Sequence, residues 1–414
     1  MRRIRRSRWL RSAGLFLAAL GPGIITGSVD NDAGGITTYS VAGAMYGYGL
    51  IWTLIPSFFA LVVIQEMNAR MGIVTQKGLA DLIREHSGVR ITFFVFAAML
   101  IADLGNTVTE FAGVAGSMEV FGVPRWISVP IVAVGVWLLV VKGTYRSVER
   151  VFLIFSLFLL SYVVSAVLGK PQWGEIGQAI VSPRIDLNFA CIAMIISLIG
   201  TTIAPWMQFY MQSAVIEKGL TIKDYRFTVL DVVLGCVATV VVAFFIIVAC
   251  ASTLHVNGIQ INEAKDAALS LQPLAGRFSA HLFAFGLFIA SVFAATILPV
   301  ATAFYICQAF GFEAGIDRKL SEAPEFYTLY TGMIAVAALI ILLPQTPLIK
   351  ITLWSQTLNG ILLPVVLVCM MLLVNNREIM GKHTNGWVKN LIGWSTVVTM
   401  AGLSVCLLVF SFLF

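Results

Sequence analysis

Charged side chains are scarce in this sequence: Asp, Glu, Lys and Arg together make up 12% of its 414 residues, while 59% are hydrophobic. A soluble domain carries about 25% charge, so a water-soluble globular protein is excluded and the chain reads as an all-α polytopic membrane protein. Other absences narrow the function. No CxxC pair occurs, and the six cysteines, Cys191, Cys236, Cys250, Cys307, Cys369 and Cys406, all fall inside apolar runs, where they read as small buried side chains. The four histidines, His86, His255, His281 and His383, are scattered in loops or at span ends. No nucleophile and base are placed together, so the sequence does not read as an enzyme. The basic start "MRRIRRSRWLR" is followed by no small-residue cleavage site and reads as a retained anchor rather than a signal peptide.

Apolar runs of the roughly 17 to 25 residues needed to cross a hydrocarbon core lie at 13–45 (interrupted), 49–73, 91–119, 125–142, 148–168, 187–217 (interrupted), 227–254, 277–310, 326–344, 347–375 and 386–413. These are eleven expected spans, which puts the two termini on opposite sides. Lys and Arg are retained on the cytoplasmic face. With the N-terminus inside, the cytoplasmic segments hold 21 of the 27 basic residues. The net charge of +6 is then a matter of topology and anionic headgroups, not of nucleic-acid binding. The expected location is a bacterial inner membrane, with a cytoplasmic N-terminus and an extracytoplasmic C-terminus.

Span 1 carries "GSVDNDAGGITT" (Gly27–Thr38), with two carboxylates, an amide and paired glycines in its middle, and span 6 carries "GTTIAPW" (Gly200–Trp206), where Pro205 lacks an amide hydrogen. Unwound backbone survives inside a membrane only where protein covers it or a wet cavity meets it. A carboxylate at mid-bilayer costs about 2.5 kcal/mol or more, and no Lys or Arg lies in the first broken span to neutralise Asp30 or Asp32. Their partner is expected to be cationic. Paired broken helices in corresponding positions of two halves point to a transporter site on inverted repeats. The expected organisation is a basic cytoplasmic N-terminus at 1–12, five-helix repeats at 13–168 and 187–375, and an eleventh helix at 386–413. Carboxylate, amide and free carbonyl oxygens suit hard cations such as Mg²⁺, Ca²⁺ or Mn²⁺. A Na⁺-coupled solute carrier could use the same broken helices.

The chain resembles the Nramp family of divalent-metal transporters. The resemblance runs from "GPG" (Gly21–Gly23) through "AGAMYGYGLIW" (Ala42–Trp52) and "QEMNARMGIVTQKGLADLI" (Gln65–Ile83), and returns in "YRSVERV" (Tyr145–Val151) and "SQTLNGILLP" (Ser355–Pro364). It implies a LeuT-like inverted repeat of five plus five helices with one more, broken in helices 1 and 6. The family's Asp-Pro-Gly-Asn signature falls on Asp32, Ala33, Gly34 and Gly35, so the aspartate stays and the asparagine ligand becomes Gly35. The Met-Pro-His signature falls on Ala204, Pro205 and Trp206 when aligned from Gly200, and on Pro205, Trp206 and Met207 when aligned from "YMQS" (Tyr210–Ser213). The first register keeps the proline and replaces the thioether ligand by Ala204.

Loss of sulfur removes discrimination against hard ions, and glycine for asparagine at 35 is expected to empty volume beside Asp32. A wider, oxygen-lined site suits a partly hydrated Mg²⁺, as in the magnesium-transporting branch that the sequence most resembles. Asp32 is then the charge-bearing ligand, with Asp30, Asn31, Gln356, Asn359 and the backbone at Gly35, Thr201 and Ala204 as further candidates. Glu110 matches the family's span 3 glutamate. The aspartate position three residues earlier is Thr107, and the span 6 histidines become Trp206 and Gln212, so weak or absent proton coupling is expected. Glu110 and Asp103 as a substitute proton path, and Glu110 as a simple partner of Asn106, stand as alternatives. Asp231 and Glu66 read as structural, paired with loop arginines. The expected function is inward transport of Mg²⁺ and Mn²⁺ by alternating access, the metal being substrate and no cofactor required. The expected partners are the ion and the bilayer, with no obligate protein partner. The rival is a proton-coupled Mn²⁺/Fe²⁺ importer.

Overall fold

The protein is described by a computed structural model covering residues 21–143, 161–168, 171–182, 188–259, 261, 264–316, 318–343 and 348–413. The expected basic N-terminus at 1–12, "YRSVERV" and most of the expected span 148–168 lie outside the described residues. What is described is helical throughout: α1 (Pro22–Val29), α2 (Ala33–Tyr46), α3 (Leu54–Thr75), α4 (Leu79–Val120), α5 (Arg125–Val141), α6 (Ser161–Leu168), α7 (Trp173–Val181), α8 (Phe189–Thr202), α9 (Pro205–Glu217), α10 (Tyr225–Cys250), α11 (Ala264–Phe310), α12 (Pro324–Leu342), α13 (Leu348–Asn375), α14 (Arg377–Met380) and α15 (Trp387–Leu413). Among the described residues eight helical segments are long and apolar enough to cross a bilayer, and α5 is a shorter apolar helix.

Local chemistry explains the interruptions. Helix α1 stops at Val29, and α2 restarts where Asp32, in an extended conformation, caps it by accepting from the Gly35 amide at 2.5 Å; Asp is among the preferred N-caps because its oxygen satisfies an orphan donor. Helix α8 ends at Thr202, and α9 restarts with Pro205 in its first turn after an extended Ala204, a position where the missing proline N–H costs nothing. The restart at Pro205 places the break at Ile203 and Ala204. Within α4, Gly88 adopts φ +77° and divides a short leading helix from the membrane segment, a conformation that favours glycine.

Packing around the first break depends on small residues. A Cβ on Gly23 would lie 2.5 Å from the Val232 amide nitrogen, and one on Gly27 would lie 2.5 Å from the Gly235 carbonyl oxygen. The backbones of α1 and α10 therefore touch directly, as small residues permit between membrane helices. Gly200 of α8 meets Gly360 of α13 in the same way.

Asp231 of α10 sits at the start of α1, where its carboxylate accepts from the amides of Gly21 (3.1 Å), Gly23 (2.6 Å) and Ile24 (3.3 Å). The expected arginine partner is thus replaced by the positive end of a helix. Exchanging Asp231 for leucine is expected to strand these amides and to cost about 2 kcal/mol or more of stability, read as a lowered midpoint of thermal unfolding in detergent. Glu66 does pair with cations, Arg70 at 3.0 Å and Lys389 at 2.7 Å.

One end of the bundle is drawn together by polar ties. Gln212 donates to the Lys77 carbonyl at 2.7 Å, Arg84 to the Gln308 carbonyl at 2.9 Å, and Arg70 to the His383 carbonyl and the Asn385 side chain.

Candidate metal-transport site

Between α1 and α2 the chain turns through Asp30, Asn31 and Asp32, which are 1%, 0% and 4% exposed. Neither Asp30 oxygen has a hydrogen-bond partner, and neither polar atom of the Asn31 side chain has one. No Lys or Arg pairs with Asp30 or Asp32 among the described residues. Buried polar groups are ordinarily satisfied, so these open oxygens mark a place built to receive something. The Thr201 hydroxyl, on the last turn of α8, is likewise buried without a partner. It faces the same turn, because a Cβ on Gly35 would lie 3.3 Å from both Thr201 Oγ1 and Asp32 Oδ1.

The Gly35 Cβ would also lie 2.7 Å from the Asp30 carbonyl oxygen. The glycine here permits a close approach of backbone, and the expected open volume beside Asp32 is not present. At Gly34 the neighbour is the Gln356 amide, with Asp32 Oδ1 at 3.1 Å. Gln356 turns its NH₂ toward this turn while its oxygen accepts from Asn359 at 3.0 Å, so Gln356 must turn its amide over before it can ligate a cation.

Asn359 is already fully engaged. It donates to Asn106 Oδ1 (3.0 Å) and accepts from Asn106 Nδ2 (3.2 Å), which places it in a network between α4 and α13 rather than facing an ion. Asn106 is the hub of that network: it also donates to Asp103 (3.1 Å) and accepts from Ser355 (2.6 Å). Asp103 accepts further from Thr302 (3.1 Å) and Tyr305 (3.0 Å). Sequence reasoning named Asn106 only as a neighbour of Glu110, because nothing local marks a side chain whose partners sit about 250 positions away.

Glu110 does not bond Asn106. Its Oε2 accepts from the Ala33 amide at 3.0 Å and its Oε1 has no donor. That amide directly follows Asp32, so a second buried carboxyl stands beside the break.

The second break contributes backbone. The final carbonyls of α8 have no intrahelical partner by construction. The Ala204 carbonyl accepts from Met207 (3.1 Å) and Gln208 (3.1 Å), so it is less free than expected. Trp206 is buried and leans on Tyr210 with ring centroids 6.2 Å apart; it fills core and cannot carry a proton. Sulfur lies in a separate cleft, where Met207 and Cys236 line the α1–α10 contact with Thr26 and Gln65.

The six cysteines form no disulfide; Cys406 is exposed on α15 and Cys369 is half-buried. The histidines are placed elsewhere: His255 bonds the Ala44 carbonyl (2.9 Å), His86 the Leu82 carbonyl (2.9 Å), and His281 lies against Phe121. Among the described residues no three His, Cys, Asp or Glu side chains converge as a cage for a resident metal.

A buried, cation-deficient break between two short helices is the feature that known proteins clarify. The profile of the Nramp family, natural resistance-associated macrophage protein-like, matches residues 23–410. The chain belongs to the Nramp family. Among its curated relatives is the divalent metal cation transporter MntH of Yersinia enterocolitica, 26% identical over 403 residues that cover 95% of each chain. The protein of the same name from Yersinia pestis is 25% identical over 405 residues, again 95% of each. A solved manganese transporter from Eremococcus coleocola superposes with a TM-score of 0.75 at 19% identity, covering 94% of this chain and 86% of that one. A nucleobase-cation-symport-1 family transporter superposes at 0.61 with 12% identity, covering 94% and 92%. These two share the fold, which is LeuT-like. In this Nramp chain the turn after α1 occupies residues 30–32.

Proposed function

We propose that the protein is a secondary carrier that moves Mg²⁺ and Mn²⁺ into the cell by alternating access, with little or no proton coupling. The observation that carries this reading is the set of buried oxygens without partners at Asp30, Asn31 and Thr201 around the Asp32 carboxylate. Oxygen donors with one or two carboxylates suit hard divalent cations, and Mg²⁺ in particular keeps several of its waters. The relatives' printed roles, divalent metal cation and manganese transport, agree with a divalent substrate. In this reading Asp32 supplies the charge, Asp30 and Asn31 supply oxygens or hold a coordinated water, and the carbonyls at Gly35, Thr201 and Ala204 with Gln356 complete the shell. For Gln356 to ligate, its amide turns over and gives up the bond from Asn359. The chain would cross the bilayer eleven times, with five-helix repeats at 13–168 and 187–375, helix 1 broken at Asp30–Asp32 and helix 6 broken between Thr202 and Pro205. It would lie in a bacterial inner membrane, with the N-terminus in the cytoplasm and the C-terminus outside.

One observation favours a second reading, a proton-coupled importer of Mn²⁺ and Fe²⁺. Glu110, whose Oε2 accepts from the Ala33 amide at 3.0 Å, sets a second buried carboxyl beside the break, a group able to give up a proton as metal arrives. Proteoliposomes loaded with a pH-sensitive dye separate the two. On the first reading a hundredfold excess of Mg²⁺ abolishes Mn²⁺ uptake and the lumen does not acidify as metal enters. Mn²⁺ uptake that persists under Mg²⁺, or acidification that tracks the metal, removes the first reading.

A further inference from the structure

We propose that the groove between α3, α10 and α15 is a binding site for an anionic phospholipid of the cytoplasmic leaflet. The groove has a volume of about 410 Å³ and is lined by Val62, Val63, Glu66, Tyr225, Arg226, Val229 and Lys389. Its chemistry is divided. On one side are half-buried valines from two membrane-spanning helices, a surface for an acyl chain. On the other is an ionic cluster: the Glu66 carboxylate is held by Arg70 beneath it (3.0 Å) and by Lys389 across from it (2.7 Å), and Tyr225 donates its hydroxyl to the same carboxylate.

One acid cannot neutralise this cluster. Arg70 and Lys389 already exceed the single charge of Glu66. Arg226 is exposed and makes no ion pair with any described residue. Two positive charges are therefore left uncompensated at the rim of an apolar trough. On the proposed topology the site lies on the cytoplasmic side, where anionic headgroups concentrate, and basic pockets between membrane helices on that side are the chemistry that recognises them. A phosphate placed between Arg226 and Lys389 would let its chain follow Val229, Val62 and Val63. A free phosphate would leave that apolar wall unused, so the lipid is the occupant the whole groove fits. Arg226 and Asp231 lie on the same helix, so a lipid held here would steady the element that caps α1.

The test is lipid retention by the purified full-length protein in detergent, read by native mass spectrometry with phosphatidylglycerol, phosphatidylcholine or glycerol phosphate as the probe. Wild type is expected to keep phosphatidylglycerol in preference to phosphatidylcholine, and R226Q to bind it roughly fivefold more weakly, as loss of one basic residue near a headgroup implies. Arg226 is solvent-exposed, so R226Q is expected to unfold at the wild-type temperature in phosphatidylcholine alone. Equal retention by R226Q, or equal retention of the two lipids by wild type, overturns the proposal, and displacement of the lipid by glycerol phosphate at matched concentration overturns the role of the apolar wall. The wild-type comparison reads out independently of any variant.

Discussion

Replacing Asp32 with alanine is expected to lower metal uptake in proteoliposomes by roughly a hundredfold or more, since even residues that merely orient a metal ligand cost ten- to a hundredfold when removed. Asp32 also caps α2 through the Gly35 amide at 2.5 Å, so alanine removes a structural bond worth about 1 kcal/mol as well as a ligand. Asp32→Asn separates the two roles. Asparagine caps a helix as well as aspartate does but brings no charge, so Asp32→Asn should unfold at nearly the wild-type temperature and still lose transport. An asparagine variant that carries Mg²⁺ or Mn²⁺ at the wild-type rate would show that the carboxylate serves the helix alone.

A leucine at Gly235 is expected to destabilise the fold sharply and to stop transport. The Cβ of any side chain there would lie 2.6 Å from the Gly23 carbonyl carbon and closer still to its oxygen. These are backbone atoms, which have no rotamer to give way. Thr239, one turn on, bonds the Gly27 carbonyl, so the same contact is fastened at a second point. Forcing volume into a packed contact costs about 1–3 kcal/mol where side chains can adjust, and more is expected where only backbone can move. The readout is yield of folded protein and the thermal midpoint in detergent. Gly402 of α15, which has open space around it, serves as the matched position, and a leucine there should change little.

Which parts of this were legible in the sequence follows from the range of the forces involved. The break after α1 was visible because charge without a neighbouring cation is intolerable in a membrane helix, and that signal is local. The same holds at Pro205, whose missing amide favours a helix start. Asp231 was misassigned to arginines because its partners, the amides of Gly21, Gly23 and Ile24, lie more than 200 positions away and a helix end announces no charge in the sequence. Gly35 was taken for room made for an ion, whereas the structure uses it to let the Asp30 carbonyl approach. Composition alone does not separate these, since a glycine records that something is near without saying what. Asn359 and Gln356 were correctly placed on one helix face, yet only the arrangement of α4 shows that one of them is spent on Asn106.

Helix α1 has eight residues, a rod roughly 12 Å long at the usual rise. Swung by about 20° around Asp30, its far tip would travel roughly 4 Å, enough to open a path for a small ion shorn of some of its water. That tip is gripped by Asp231, so the rod cannot swing alone: either α10 travels with it as one body, or three hydrogen bonds are surrendered at every cycle.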